Sequence, residues 1–194
     1  KGVDDAPFGG GPGMVIRADI LANALIEGVV KPGNYGDNFK EKLHIIYPSP
    51  RGSAWGNNLC KDFAKRAFGE DSKDLVFICG RYEGIDERFI EKYVDEEISL
   101  GDFVLTGGEL ATMVVLDSSL RFVSGVLGSK ESSVSESFQN EFLEHPQYTR
   151  PREFAGMEVP SVLLSGNHKD IAKYQQAERV RITKKFRPDL LENL

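Results

Sequence analysis

Three stretches of this chain end in glycine- or proline-rich turns: "YPSPRG" (47–52), "CGRYEG" (79–84) and "LGDFVLTGG" (100–108). Each follows or continues an apolar run that predicts a strand: Leu43 to Tyr47, stopped by Pro48 and Pro50, then residues 74–80 and residues 95–105. Glycine lets backbone N–H and C=O groups approach a ligand, because no side chain intervenes. In open α/β sheets, ligands lie beyond the carboxyl ends of the strands. One such loop is ordinarily just a turn. Three that converge would offer backbone groups to a flat polar ligand. The stretch "SLGDFVLTGGEL" (99–110) contains no nucleophile and predicts a buried Asp102, whose plainest role is a turn or helix-capping carboxylate.

The spacing does not fit the common nucleotide signatures. There is no G-x-G-x-x-G between a strand and a helix, and no G-x-x-x-x-G-K-[ST]. The "GGGPG" at 9–13 follows acidic residues rather than a strand, and no G-x-S-x-G elbow occurs. These absences count against a dinucleotide site and a nucleotide-dependent hydrolase. His44, His145 and His168 are scattered, and Cys60 and Cys79 form no ligand set, so neither a zinc site nor a disulfide framework is expected. A reducing cytoplasm is the expected compartment.

The elements that must position these loops alternate. The periodicity of Met14, Ala18, Leu21 and Leu25 predicts a helix over 14–30, after a glycine-rich loop at 1–13. Further helices are predicted over 57–68, 85–94 and 109–123, the last opening after Gly107-Gly108. Strands alternating with helices predict an α/β domain with a mostly parallel sheet. Residues 124–148 turn polar and serine-rich, as a flexible linker would. The apolar "SVLLSGNH" (161–168) then leads into a basic helix. The 194-residue chain carries a net charge of −6, yet residues 169–187 hold seven Lys/Arg against two Asp/Glu. The overall charge opposes indiscriminate nucleic-acid binding. The basic helix is either a solvated face or a local phosphate-contacting patch. No apolar run is long enough to span a bilayer, and the first ten residues do not form a signal peptide.

In order along the chain stand "DDAPFGGGPGM", "YPSPRG", "ICGRYEGIDERF", "EISLGDFVLTGGELA", "RFVSGVLG", "HPQYTRP" and "GMEVPSVLLSGNH". Together they resemble the bacterial tRNA (guanine-N1)-methyltransferases that act at tRNA position 37, beside the anticodon. The resemblance covers nearly the whole chain. It implies a SPOUT-class α/β domain over 1–128 with a deep trefoil knot that holds S-adenosylmethionine. It further implies a flexible linker over 129–147 and a small helical tRNA-binding domain over 148–194. It implies a homodimer with shared active sites in the cytoplasm, no membrane partner, and ends that extend beyond both termini of this sequence. It assigns no resident metal ion, with magnesium left as an assistant to the tRNA or the reaction.

The same resemblance distributes roles. The cofactor pocket maps onto Gly80, Leu100, Gly101, Asp102, Phe103, Val104 and Leu105, with Tyr47, Pro48, Tyr82, Glu83, Gly107 and Gly108 in the matching loops. Without it, the apolar members would be read as plain core. Methylation at guanine N1 needs a carboxylate base near N1 and a cation near O6. The family places an aspartate in an Asp-Ser-Phe context, where this chain has Glu136 in "SESF", so the base becomes Glu136, with Glu131 and Glu141 as alternatives. Arg121 matches the catalytic arginine; otherwise it is a helix-terminal arginine at the negative end of the dipole. Gly9, Gly10, Gly11 and Gly13 match a loop that approaches the guanine from the other subunit. Gln147 and Arg150 match substrate-proximal positions, and Lys184, Lys185 and Arg187 suit phosphates. The alternative function is a non-catalytic homologue that binds only cofactor or tRNA.

Overall fold

A computed structural model describes residues 2–126, 137–138 and 142–191. The chain divides into two compact units, Lys1–Leu127 and Gly128–Leu194. The first is built on a parallel three-stranded sheet with strand order β4-β3-β5. Its strands are β3 (Leu43–Ala54), β4 (Asp74–Phe77) and β5 (Glu96–Ser99). Two short antiparallel strands, β1 (Asp4–Asp5) and β2 (Val15–Ile16), precede them.

The central strand is apolar on both faces, as a strand covered by helices on each side must be. Leu43, Ile45 and Tyr47 pack into one cluster with Leu25, Phe89 and Ile90. That cluster is covered by α1 (Ala18–Leu25) and α4 (Glu87–Tyr93). Ile46 and Ile98 pack on the other face with Phe63, Ala67 and Val115. These come from α3 (Asn57–Phe68) and α5 (Glu109–Leu120). The short α2 (Phe39–Lys42) leads into β3. The period-two alternation of β3 therefore sends successive side chains into two separate cores. No helix among the described residues is long and apolar enough to cross a membrane.

Three expected boundaries move furthest, while the strand expected over 74–80 ends at Phe77 and the helix expected over 109–123 ends at Leu120. The helix expected over 14–30 begins only at Ala18 and finishes in a π-helical turn, Ile26–Val30. Long-range bonds hold residues 15–17 extended: Ile16 N–H donates to Gly84 O, and Arg17 N–H to Val3 O. The strand expected to stop at Tyr47 continues to Ala54, because its register with β5 slips between Pro48 and Ser53. Pro48 stands at the edge of that irregularity and Pro50 falls inside it, where the ladder asks for no donor. The strand expected to run to Leu105 ends at Ser99, and Gly101 then takes a φ of +145°. Residues 100–108 are loop, so strand alternation does not apply to them and Asp102 is exposed rather than buried.

At the amino ends of these strands, Glu96 pairs with His44 Nε2 at 2.8 Å and accepts from Arg66 Nη1 at 3.2 Å. The His44 bond, then Arg66, hold its carboxyl below the ordinary 4.5, against a partial burial that pushes it up. A depressed folded-state pKa stabilises the fold above the ordinary value, and that stability is lost as pH falls through the folded value. Melting temperatures measured downward from pH 6 should therefore fall once the pH drops below 4.5. Glu96→Gln should flatten part of that fall; an unchanged acid limb would remove Glu96 as a cause.

The second unit contains a hairpin of β6 (Glu153–Phe154) and β7 (Met157–Glu158), a 3₁₀ turn at Ser161–Leu164, and α6 (His168–Phe186). Asn167 caps α6 by accepting from Lys169 N–H, and a 3₁₀ turn, Pro188–Leu191, follows it. Thr183 is buried and acts as a node, donating to Arg179 O and accepting from Leu143 N–H.

Candidate active site

The irregular stretch of β3 from Tyr47 to Pro50 and the loops after β4 and β5 meet beside the carboxyl ends of β4 and β5 and enclose one cleft. Twelve of the thirteen residues expected to hold the cofactor line it: Tyr47, Pro48, Gly80, Tyr82, Glu83, Leu100, Gly101, Phe103, Val104, Leu105, Gly107 and Gly108. Asp102 does not. The sequence reading missed Ser49, Pro50, Arg81, Gly84, Ile98, Ser99, Thr106 and Ala111, which also line it. Most of these lie within the same three loops, so loop membership was a usable signal for them. Ala111 lies on the inward side of the first turn of α5, whose opening turns are apolar on more than one face, so helical spacing carried no signal for it.

Close backbone approach explains two of the glycines. Gly108 N–H donates to Gly80 O at 3.1 Å, and a Cβ on Gly108 would sit 2.9 Å from Cys79 Cα. A Cβ on Gly80 would sit 3.0 Å from the ring of Tyr47. The loops after β4 and β5 thus touch main chain to main chain, and the Tyr47 ring closes in behind them.

The cleft has an apolar side and a polar side. Leu100, Phe103, Val104 and Leu105 supply the apolar surface, and Val104 is 83% exposed. Tyr47 is 7% exposed, and burial, helped by the charge of Glu97, pushes its phenol above the ordinary range. It remains a neutral hydroxyl near pH 7. Arg81 and Glu109 pair at 2.8 Å across the opening of α5. The backbone N–H of Glu109 itself, then Arg81, hold that carboxyl below its usual value. A flat ligand with polar edges fits these surfaces: backbone groups for its edge, apolar side chains for its faces.

The remaining expected residues lie elsewhere. Gly9, Gly10, Gly11 and Gly13 all have positive φ. Their loop joins the cleft at one end: Glu83 N–H donates to Met14 O, and a Cβ on Gly13 would meet the Glu83 side chain at 2.4 Å. Arg121 is the C-cap of α5 and does not line the cleft. A twelve-residue helix is about 18 Å long, so Arg121 stands at the far end of the helix that opens beside the ligand loops. Glu136, Glu131 and Glu141 lie outside the described residues. Gln147 donates to Glu144, and Arg150 is exposed ahead of Pro151. Lys184 and Lys185 lie in the last turn of α6, and Arg187 beyond it donates to Asp189. Among the described residues, no group of three or more His, Cys, Asp and Glu side chains could hold a metal ion.

Comparison with known proteins matches the amino-acid sequence to one family. The family model described as tRNA (Guanine-1)-methyltransferase TrmD matches residues 1–193. A tRNA (guanine-N(1)-)-methyltransferase of Geotalea uraniireducens is 50% identical over 188 residues, which cover 97% of this chain and 70% of the relative. Its namesake from Clostridium botulinum strain 657 is 50% identical over 192 residues, covering 99% and 73%. That of Geobacter metallireducens is 46% identical over 192 residues, with the same coverage. A three-loop cleft on a parallel sheet and a match along essentially the whole chain lead to the same place: the chain belongs to the tRNA (guanine-1)-methyltransferase family.

Proposed function

We propose that this protein methylates N1 of guanine at position 37 of tRNA, using S-adenosylmethionine. The observation that carries the reading is the cleft at the strand ends, formed by three glycine-rich loops in a chain of this family. The residues present fit the group. Gly80 and Gly108 line the cleft, and a Cβ on either would press on Tyr47 or on Cys79, so their lack of side chains lets the cleft walls pass close together around a ligand. Leu100, Val104 and Leu105 can pack on the adenine faces, and the surrounding main chain can satisfy its edge. When bound, S-adenosylmethionine supplies a methyl group on a positively charged sulfur.

The protein's own task is to orient the guanine and take its N1 proton. Glu136 is the base in this reading, and Arg121 stabilises the charge that grows at O6. Since Arg121 does not line the cleft of its own chain, we assign it to the site of a second subunit. Leu110, Met113 and Val114 support that dimer. They form an exposed i, i+3, i+4 stripe on α5, opposite the buried Ala111 and Val115. Exposed apolar surface beside an apolar loop marks an interaction face. Asp102 belongs to the same loop but has no assigned contact. The knot of the SPOUT class fits the close passage of the two loops at Gly108 and Cys79.

Gly9, Gly10, Gly11 and Gly13 would meet the target base. In the second unit Gln147, Arg150, Lys184, Lys185 and Arg187 would meet the tRNA, with the Asp189 pair leaving Arg187 partly neutralised. The test is transfer of labelled methyl to a tRNA transcript with guanine at position 37. Label should appear at N1 of that guanine and vanish when adenine replaces it. Tight cofactor binding with no transfer would overturn the reading in favour of a non-catalytic homologue.

A further inference from the structure

The wall of the cleft contributed by β3 is an excursion from the sheet. Pro48 pairs with Ile98, and so does Ser53, so residues 49–52 have no partner in the ladder. Pro48, Ser49 and Pro50 face the cleft. Two prolines among residues 48–52 remove N–H donors that would otherwise tie this segment down. At its end, Gly52 presses on β5: a Cβ there would lie 2.4 Å from Glu97 C and Ile98 N.

Arg51 stands between these two features. Its Nε donates to both carboxylate oxygens of Glu97, at 2.9 and 3.1 Å. Its Nη1 and Nη2 donate to the two oxygens of Glu87, at 2.8 Å each. Glu97 belongs to β5 and Glu87 to the first turn of α4. One side chain therefore fastens the excursion to two separate elements.

We infer that Arg51 is a positioning residue for the cofactor cleft: its guanidinium fixes the 48–52 excursion so that Pro48, Ser49 and Pro50 form a single, preformed wall. This rests on reading the cleft as the S-adenosylmethionine site. Arg51 and Glu87 are both about half exposed, and exposed pairs contribute little to stability, although Glu97 at 21% is the more buried partner. The effect of the tie is thus on which conformation the wall adopts. A wall that samples several shapes lowers the competent fraction, and the apparent affinity falls with it. A planar fork is required, because the ammonium of lysine cannot meet two carboxylates with paired donors.

The experiment measures S-adenosylmethionine binding by calorimetry, with steady-state kinetics and thermal melts, on the full chain. Arg51→Gln should raise the Kd and KM for S-adenosylmethionine about fivefold. The kcat at saturating cofactor and the KM for tRNA should hold, and Tm should stay within about 3 °C. Arg51→Lys should recover only part of the affinity, and Arg51→Gln with Glu87→Gln should be no worse than Arg51→Gln alone. Wild-type cofactor affinity in Arg51→Gln overturns the inference. So does a fall in Tm and kcat with KM unmoved, which is the signature of a general structural role. If the wild-type protein itself fails to bind S-adenosylmethionine, the cleft reading falls instead.

Discussion

Gly108→Ala should weaken S-adenosylmethionine binding by about five- to a hundredfold and lower Tm at the same time. The cause is space, not backbone conformation, since Gly108 has a φ of −79° that any residue adopts. Its added Cβ would stand 2.9 Å from Cys79 Cα and 3.3 Å from Gly80 N. Both are main-chain atoms of the neighbouring loop, so relief requires the two loops to part and the Gly108–Gly80 hydrogen bond to stretch. Gly107 next door provides the contrast. A Cβ there meets Glu109 Oε2 and the Arg81 guanidinium, the ends of two flexible side chains. Those can swing aside, so Gly107→Ala should cost far less, and the bulkier Gly107→Val should mainly break the Arg81–Glu109 pair. Calorimetry on the two alanine variants checks the order. Wild-type affinity in Gly108→Ala would show that loop-to-loop contact does not shape the cleft.

That contrast marks what the amino-acid sequence could reveal. The glycine loops were legible because each sits where an apolar run stops, and a glycine after a buried strand is a local signal. The α3 helix was legible from its amphipathic periodicity, and α5 from its apolar run after Gly107-Gly108. The course of the loops was less so. Pro48 and Pro50 predict the end of a strand, yet β3 resumes beyond them because Gly52 can lie against the β5 backbone. That outcome depends on Glu97 and Ile98, far along the chain. Arg51 was hidden for the same reason: nothing in "YPSPRG" says that Glu87 and Glu97 will converge on it. Asp102 erred the other way, since apolar neighbours imply burial only where strand alternation holds. The two apolar faces of α5 are visible in "ELATMVVL", but which one is inward follows only from its packing against α3 and the sheet.

Glu136→Gln should reduce kcat by about a hundred- to ten-thousandfold, the range that a positioned general base supplies. Glutamine keeps the length and hydrogen-bonding shape of glutamate and removes only its capacity to accept the N1 proton. Cofactor affinity should stay at the wild-type value, because the described residues that line the cleft all fall between Tyr47 and Ala111. The acidic limb of the pH–rate profile should disappear with the carboxylate. Glu136→Asp is the sharper companion. It recreates the Asp-Ser-Phe context that the family resemblance implies, while moving the carboxylate back by one methylene. If the surrounding site is built as in that family, turnover in Glu136→Asp should match or exceed wild type. If the site has adapted to the longer side chain, Glu136→Asp should fall short, since small misplacements of a catalytic group are costly. Glu131→Gln and Glu141→Gln complete the set. Full turnover in Glu136→Gln together with loss in either of these would transfer the proton-accepting role to that glutamate and leave the cofactor cleft as it stands.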